Sequence, residues 1–510
     1  MLRILGSAKT LCNSVTRREV LRVGGLGMSS LALTDLWKLQ AAQAAPARTP
    51  SVVESTNLTG TFGRAKRIIL LYLYGAAAQH ETFDPKPDAP AEIRGIFKPI
   101  DTVVTGVQIC EHLPRIARIA DRVAIVRSMT HPYNIHSAAY TLTGVDKVDI
   151  PMELGPYDQR HWPFFGSVLD YLASRKHPKA PLPEVPRNIG LPFQFSNRCP
   201  EFKRGGPYGG FLGRSVNPIW TEFAGDATKV VERWRGEADV PVRDPYLGIS
   251  PHDRFTVSEA ARLSPEITLD RLNRRRDLVT QLDEGRRSLD RGMSTQTLDR
   301  FQEMAYSLIT SRRLREALDV SQEPVALRER YGMTLFGQAT LAGRRLLEAG
   351  ATLVSVFWDE IQTANSAWDT HFSHYERLKH ELLPGLDLAL SALILDLESR
   401  GMLDDTLVMV LTEHGRTPKL SDTVRGAGRD HWSETYCSLL AGGGIARGTV
   451  VGSSDRIGAF VKDRPVSPKD VLCTMYHLMG IDHRTLIPDR LGRPLPLVAE
   501  GEVVEPLLLG

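Results

Sequence analysis

Histidines and carboxylates gather in five short polar segments of this 510-residue chain, each adjoining an apolar run. The segment after Arg67–Tyr74 holds Gln79, His80, Glu81 and Asp84, and the one after Val123–Val126 holds His131, Asn134, His136 and Ser137. After Thr352–Phe357 come Asp359, Glu360, Asp369 and His371. Glu413, His414 and Arg416 follow Thr406–Leu411, while Arg429, Asp430 and His431 precede Tyr436. Imidazole and carboxylate together suit zinc, manganese or iron, because the acids offset a divalent charge. Donors so widely spread predict one or two ions bound by tertiary folding rather than by a local finger. Taken singly, a histidine after a strand is more often a hydrogen-bonding loop residue than a ligand, and Glu413 with Arg416 or Arg429 reads as a salt-bridge network. The recurrence at corresponding strand ends favours metal.

The elements that must position these groups are legible as apolar runs. Nearly continuous runs such as Arg67–Tyr74 suit central strands covered on both faces by helices. Residues 373–400 carry Leu378, Leu382, Leu386, Ala389, Leu393 and Leu397 at helical spacing, with Pro384 expected to bend the helix and Gly401 to end it. Strands alternating with helices predict an α/β fold, a doubly wound and mainly parallel sheet whose ligands bind beyond the carboxyl ends of the strands. Residues 175–220, rich in Pro and Gly, are expected to form an irregular excursion, and residues 258–320, with alternating charges, a helical insertion.

Composition narrows the function classes. With 42% hydrophobic and 24% charged residues the chain is neither disordered nor a multi-span membrane protein. Five cysteines without a CxxC pair argue against a zinc ribbon and a disulfide scaffold. The net charge of +3 is too small for a nucleic-acid binder. Much of it comes from residues 1–44, where Arg17-Arg18, a weakly apolar stretch and Ala42-Gln43-Ala44 follow the order of a twin-arginine export signal. The expectations are a signal peptide over 1–44, a linker over 45–61 and one large domain over 62–510. The twin-arginine export machinery would be a partner, and the destination periplasmic, cell-surface or secreted. The stretch is too short and too polar for a permanent membrane span.

The sequence also resembles a known family. FDPKPDAPAEIRGIFKPI (83–100), ICEHLPRIARIADRVAIVRSMTH (109–131), WDTH (368–371), EHGRTPKL (413–420), GRDHW (428–432) and AGGGIARGTVVGSSD (441–455) are similar, in order, to DUF1501 proteins. The resemblance implies an alkaline phosphatase/sulfatase-like fold with one or two divalent ions, whether zinc, manganese or calcium. One ion would be held by Asp369, His371 and His431, and the other by Glu81 or Asp84 with Glu413 and His414. Arg416 or Arg429 would steady ester oxygens, His136 is the candidate acid or base, and Ser137 is the remaining catalytic candidate. The implied activity is hydrolysis of a phosphate or sulfate ester on a small molecule or glycan. The sequence departs from the family where Ala78 replaces a serine and Glu81 an aspartate, and Asn134 stands ten residues before Gly144 where sulfatases place their nucleophile. The alternative reading is therefore a catalytically inactive sulfatase-like binding or envelope protein.

Overall fold

Nine strands form the principal sheet of the computed structural model, which describes residues 60–145, 153–176, 181–199, 201, 203–234, 238–257, 307–308, 310–423 and 426–509. In chain order the strands are β1 (Arg67–Leu73), β2 (Val123–Met129), β3 (Asn188–Leu191), β4 (Ile219–Ala224) and β5 (Arg254–Val257), followed by β6 (Leu353–Trp358), β7 (Thr406–Leu411), β8 (Tyr436–Ala441) and β9 (Thr449–Val451). Their spatial order is β9-β2-β8-β7-β1-β6-β3-β4-β5. The joins β1/β6, β1/β7, β6/β3, β3/β4 and β9/β2 are parallel. The joins β7/β8, β8/β2 and β4/β5 are antiparallel. The sheet is thus mainly parallel, as the alternating elements predict.

The core explains the apolar runs. Every residue of β6, β7 and β8 is buried, as is all of β1 except Arg67. Helix α1 (Ala138–Thr143) begins at Ser137, and α2 (Phe165–Lys176) and α3 (Leu335–Glu348) cover opposite sides of the sheet. Gly343 of α3 lies against Ile69, Val354 and Val356, whereas Gly166 of α2 lies against Leu353 and Asn188. Successive strand residues point to opposite faces, so these two contacts place helices on both. That is the doubly wound arrangement.

Two segments differ from their expectation. The stretch over 373–400 is not one smooth helix: a short turn at His374–Arg377 passes through a wider π turn at Leu378–Leu382 into α4 (Leu383–Ser399). Pro384 sits in the first turn of α4, where its missing N–H costs nothing, so the irregularity falls just before it. The excursion over 175–220 is not wholly irregular, because it supplies β3 to the sheet. The expected signal peptide and most of the linker and helical insertion lie outside the described residues. The described end of the insertion contains a helix at Arg312–Leu318. Among the described residues no helix is long and apolar enough to cross a membrane.

Candidate metal centre

The parallel strands β1, β6 and β7 end side by side, and the loops that leave them are tied together before any ion is considered. The Gly75 N–H donates to Glu413 Oε1 at 2.6 Å, and the Thr412 hydroxyl donates to the Leu73 carbonyl at 2.8 Å. Gln79 exchanges two hydrogen bonds with the Arg416 backbone, at 2.8 and 2.9 Å. Gly75 has φ +103°, and a Cβ there would stand 2.2 Å from the Asp369 backbone nitrogen, so this crossing of β1 and β6 loops admits only glycine. A two-residue ladder then pairs Gly415–Arg416 with His431–Trp432, which brings His431 alongside His414.

Six side chains converge in two overlapping groups. One consists of His136, Asp369, His371 and His431, and the other of His136, Glu413 and His414; within each group one donor atom per residue lies within 4.8 Å of the others. In the first group the Nε2 atoms of His371 and His431 are 3.1 Å apart, and His371 Nε2 is 3.1 Å from Asp369 Oδ1. His371 Nδ1 lies 2.7 Å from Asp430, so a proton placed there leaves the Nε2 lone pair facing inward. Two imidazole nitrogens at this separation are spaced like the edge of a tetrahedral zinc site, about 3.3 Å for Zn–N bonds of about 2.05 Å.

The second group is drier. His414 Nδ1 lies 2.8 Å from the Gly415 carbonyl, to which its N–H donates. Its Nε2 is buried without a partner, as are Glu413 Oε2 and, for hydrogen bonding, His136 Nε2. Burial, helped by the charges of His136, His431 and Arg416, pushes His414 well below the usual histidine range, so it is neutral and presents a lone pair. Orphaned buried polar atoms cost about 1–3 kcal/mol each, and a cation is the partner that an imidazole lone pair and a carboxylate oxygen have in common. The donors present therefore fit a divalent ion.

His136 stands between the groups. Its Nδ1 is 2.8 Å from Glu413 Oε1 and its Nε2 3.2 Å from Asp369 Oδ2. Burial opposes its protonation, but the two carboxylates outweigh burial and raise it to about 9. Asp369 is buried too, yet Arg416 and His136 hold its carboxyl well below the usual range. His131 holds the Glu413 backbone from behind: its Nδ1 accepts from Tyr133 N–H, so Nε2–H donates to the Glu413 carbonyl at 2.6 Å.

The structure brings Asp369, His371, Glu413, His414 and His431 together, but not Glu81 or Asp84. Glu81 Oε1 is 2.5 Å from Arg429 and Oε2 is 3.2 Å from His374. Burial would raise its pKa, but Arg429 and His374 prevail and hold it at about 2. Asp84 is taken by Lys86 at 2.9 Å and by the Ser454 hydroxyl. His136, expected as an acid or base, lies instead among the donors of both groups. Ser137 is not aimed at the centre; its hydroxyl caps α1 by accepting from Tyr140 N–H. Arg416 is fully buried and spends its donors on Asp369 and on the carbonyls of Gly75, Ala76 and Arg429, so it fixes a ligand and does not face the opening. Asn134 is exposed and donates to the His431 carbonyl at 3.0 Å.

Residues 65–508 match the family model described as a protein of unknown function, DUF1501. The chain belongs to this family. No curated protein matches the sequence. Among solved structures, this DUF1501 protein is similar to the PsFucS1 sulfatase from Pseudoalteromonas sp., with 12% identity and TM-score 0.34 over 84% of this chain and 70% of that one. It is similar to the phosphonate monoester hydrolase SpPMH from Silicibacter pomeroyi, with 12% identity and TM-score 0.30 over 87% and 76%. A third is Ps i-CgsB in complex with k-i-k-neocarrahexaose, with 12% identity and TM-score 0.35 over 82% and 72%.

Proposed function

We propose that this DUF1501 protein is an exported metal-dependent hydrolase of phosphate or sulfate esters. The observation that carries this reading is the convergence of His136, Asp369, His371 and His431 at a partly open rim, with side-chain exposures of 27% for His371 and 24% for His431. Catalytic metal sites keep one side open to substrate, and closed sites do not. A divalent ion held there supplies Lewis-acid charge at an ester oxygen and acidifies water. Asp369 and the two histidines hold it; Arg416 fixes the carboxylate, and Asp430 sets the proton position on His371. Asp369 and Glu413 balance the charges of buried Arg416 and protonated His136, so the centre gains its attraction for a cation as the His136 proton leaves. Zinc, manganese and calcium are all compatible with export as a folded, loaded chain, the route that the twin-arginine pattern over 1–44 suggests.

A second reading, a catalytically inactive binding or envelope protein on the same scaffold, is favoured by one specific observation. The position expected for a sulfatase nucleophile is Asn134, and Ser137 is engaged in capping a helix. Turnover of aryl phosphates and aryl sulfates by the metal-loaded chain separates the two. The hydrolase reading expects release of the phenol above that of a His371→Ala/His431→Ala double variant. Equal background from both, with metal demonstrably bound to the wild type, leaves the binding protein.

A further inference from the structure

The two donor groups share one residue, and the two nitrogens of its ring face acids of different groups. His136 Nδ1 faces Glu413 at 2.8 Å, while Nε2 faces Asp369 at 3.2 Å. The ring is 4.1 Å from that of His431 and 5.2 Å from that of His414, centroid to centroid, and those two rings are 4.7 Å apart, so His136 packs against both groups. It has little freedom to choose between them, because it is buried at the start of α1, next to the helix-capping Ser137. The dry group is incomplete without it: Glu413 and His414 alone offer two ligands, each with a buried orphan atom.

Resting on the reading that this site holds metal, we infer that His136 bridges two ions through its two ring nitrogens. One ion lies with Asp369, His371 and His431 at the open rim, and the other with Glu413 and His414 in the interior. An imidazole can ligate through both nitrogens only when both N–H protons are gone. The first is lost with the charge of the free side chain, and the second leaves to solvent as the second ion binds. The ions are then held apart by the width of a ring. This differs from the pair about 3.5–4 Å apart that clamps both oxygens of one displacement. The rim ion faces substrate, while the interior ion neutralises Glu413 and fixes the bridging ring.

The test uses the full mature chain, stripped of metal and reloaded with Zn²⁺ or Cu²⁺, with metal per chain read by elemental analysis and copper by electron paramagnetic resonance. The bridge predicts two ions per chain and a dicopper form whose signal falls well below its copper content, through coupling across the ring. It also predicts that the full signal returns when one copper is replaced by zinc. His136→Ala should lose the interior ion and all coupling, and weaken the remaining ion at least tenfold. His414→Ala should keep one uncoupled ion. Two ions with full, uncoupled signal would overturn the bridge, as would a single ion in the wild type or coupling that survives His136→Ala. Each of those leaves the metal reading intact. No bound ion in folded, reloaded chain would overturn both. The wild-type spectra decide the question even if His136→Ala fails to fold.

Discussion

The open and dry halves of the centre are built from the same residue types and differ in what surrounds them. At the rim, His371 and His431 keep about a quarter of their side-chain surface in solvent, and His371 leans on Asp430, which is 63% exposed. In the interior, Glu413 and His414 have no more than 1% exposure, and the hydrogen bonds of their side chains go to backbone groups or to His136. The rim can exchange ligands with water; the interior can only hold them. The loop after β1 packs at Gly75 against both halves, on Glu413 through its N–H and on the Asp369 backbone.

Substitutions can break that comparison or sharpen it. The largest effect is expected for Asp369→Ala, which removes a rim ligand and also strands Arg416 as an unpaired buried cation. Loss of a partner from a buried ion pair costs about 3–5 kcal/mol. Urea unfolding should show a loss of that size, and elemental analysis the loss of the rim ion. Glu81→Ala should destabilise by a similar mechanism, through unpaired Arg429, but leave metal per chain unchanged. A matching loss of metal would return Glu81 to the ligand set.

The Glu81 pair also sets an acid limit. Its folded pKa of about 2 lies below the ordinary 4.5 of a glutamate, so its stabilisation is complete above pH 4.5 and is lost as pH falls toward 2. Unfolding followed across that window should be less steep in Glu81→Gln than in the wild type. The smallest structural effect should come from Asp430→Asn. An exposed carboxylate contributes little to folding, so stability should stay within about 0.5 kcal/mol. As the group that orients a ligand histidine, however, it should weaken rim-metal affinity by about 10–100-fold, measured by competition with a chelator. An equal weakening of interior affinity would erase the distinction between the halves.

The sequence made the frame legible where burial is two-sided. The runs that became β1, β2, β6, β7 and β8 are apolar enough to announce central strands, and their polar continuations marked the rim. Strands β3 and β4 were not legible: Asn188–Leu191 is four residues long, and Ile219–Ala224 mixes Thr221 and Glu222 into its run. Five of the converging positions could be read: Glu413 and His414 follow β7, Asp369 and His371 lie in the loop after β6, and His431 precedes β8. Glu81 could not be distinguished from a ligand, since its fate depends on Arg429, far along the chain. The available signal was the arginine itself: Arg416 and Arg429 lie in glycine-containing, buried motifs, and a buried arginine needs an acid. That His136 joins the donors of both groups was not legible, because its ring is carried by the start of α1 and not by a strand end. A histidine directly before a capping serine is the local pattern that fixes it.

The central claim is that this rim and interior hold metal, and elemental analysis of the folded mature chain tests it most directly. Purified protein, stripped and reloaded with zinc or manganese, then dialysed free of excess ion, should retain metal in stoichiometric amount. His371→Ala/His431→Ala should lose the rim ion under the same treatment. A well-folded wild type that retains no stoichiometric metal would contradict the account, leaving His136 as a protonated ring between two carboxylates.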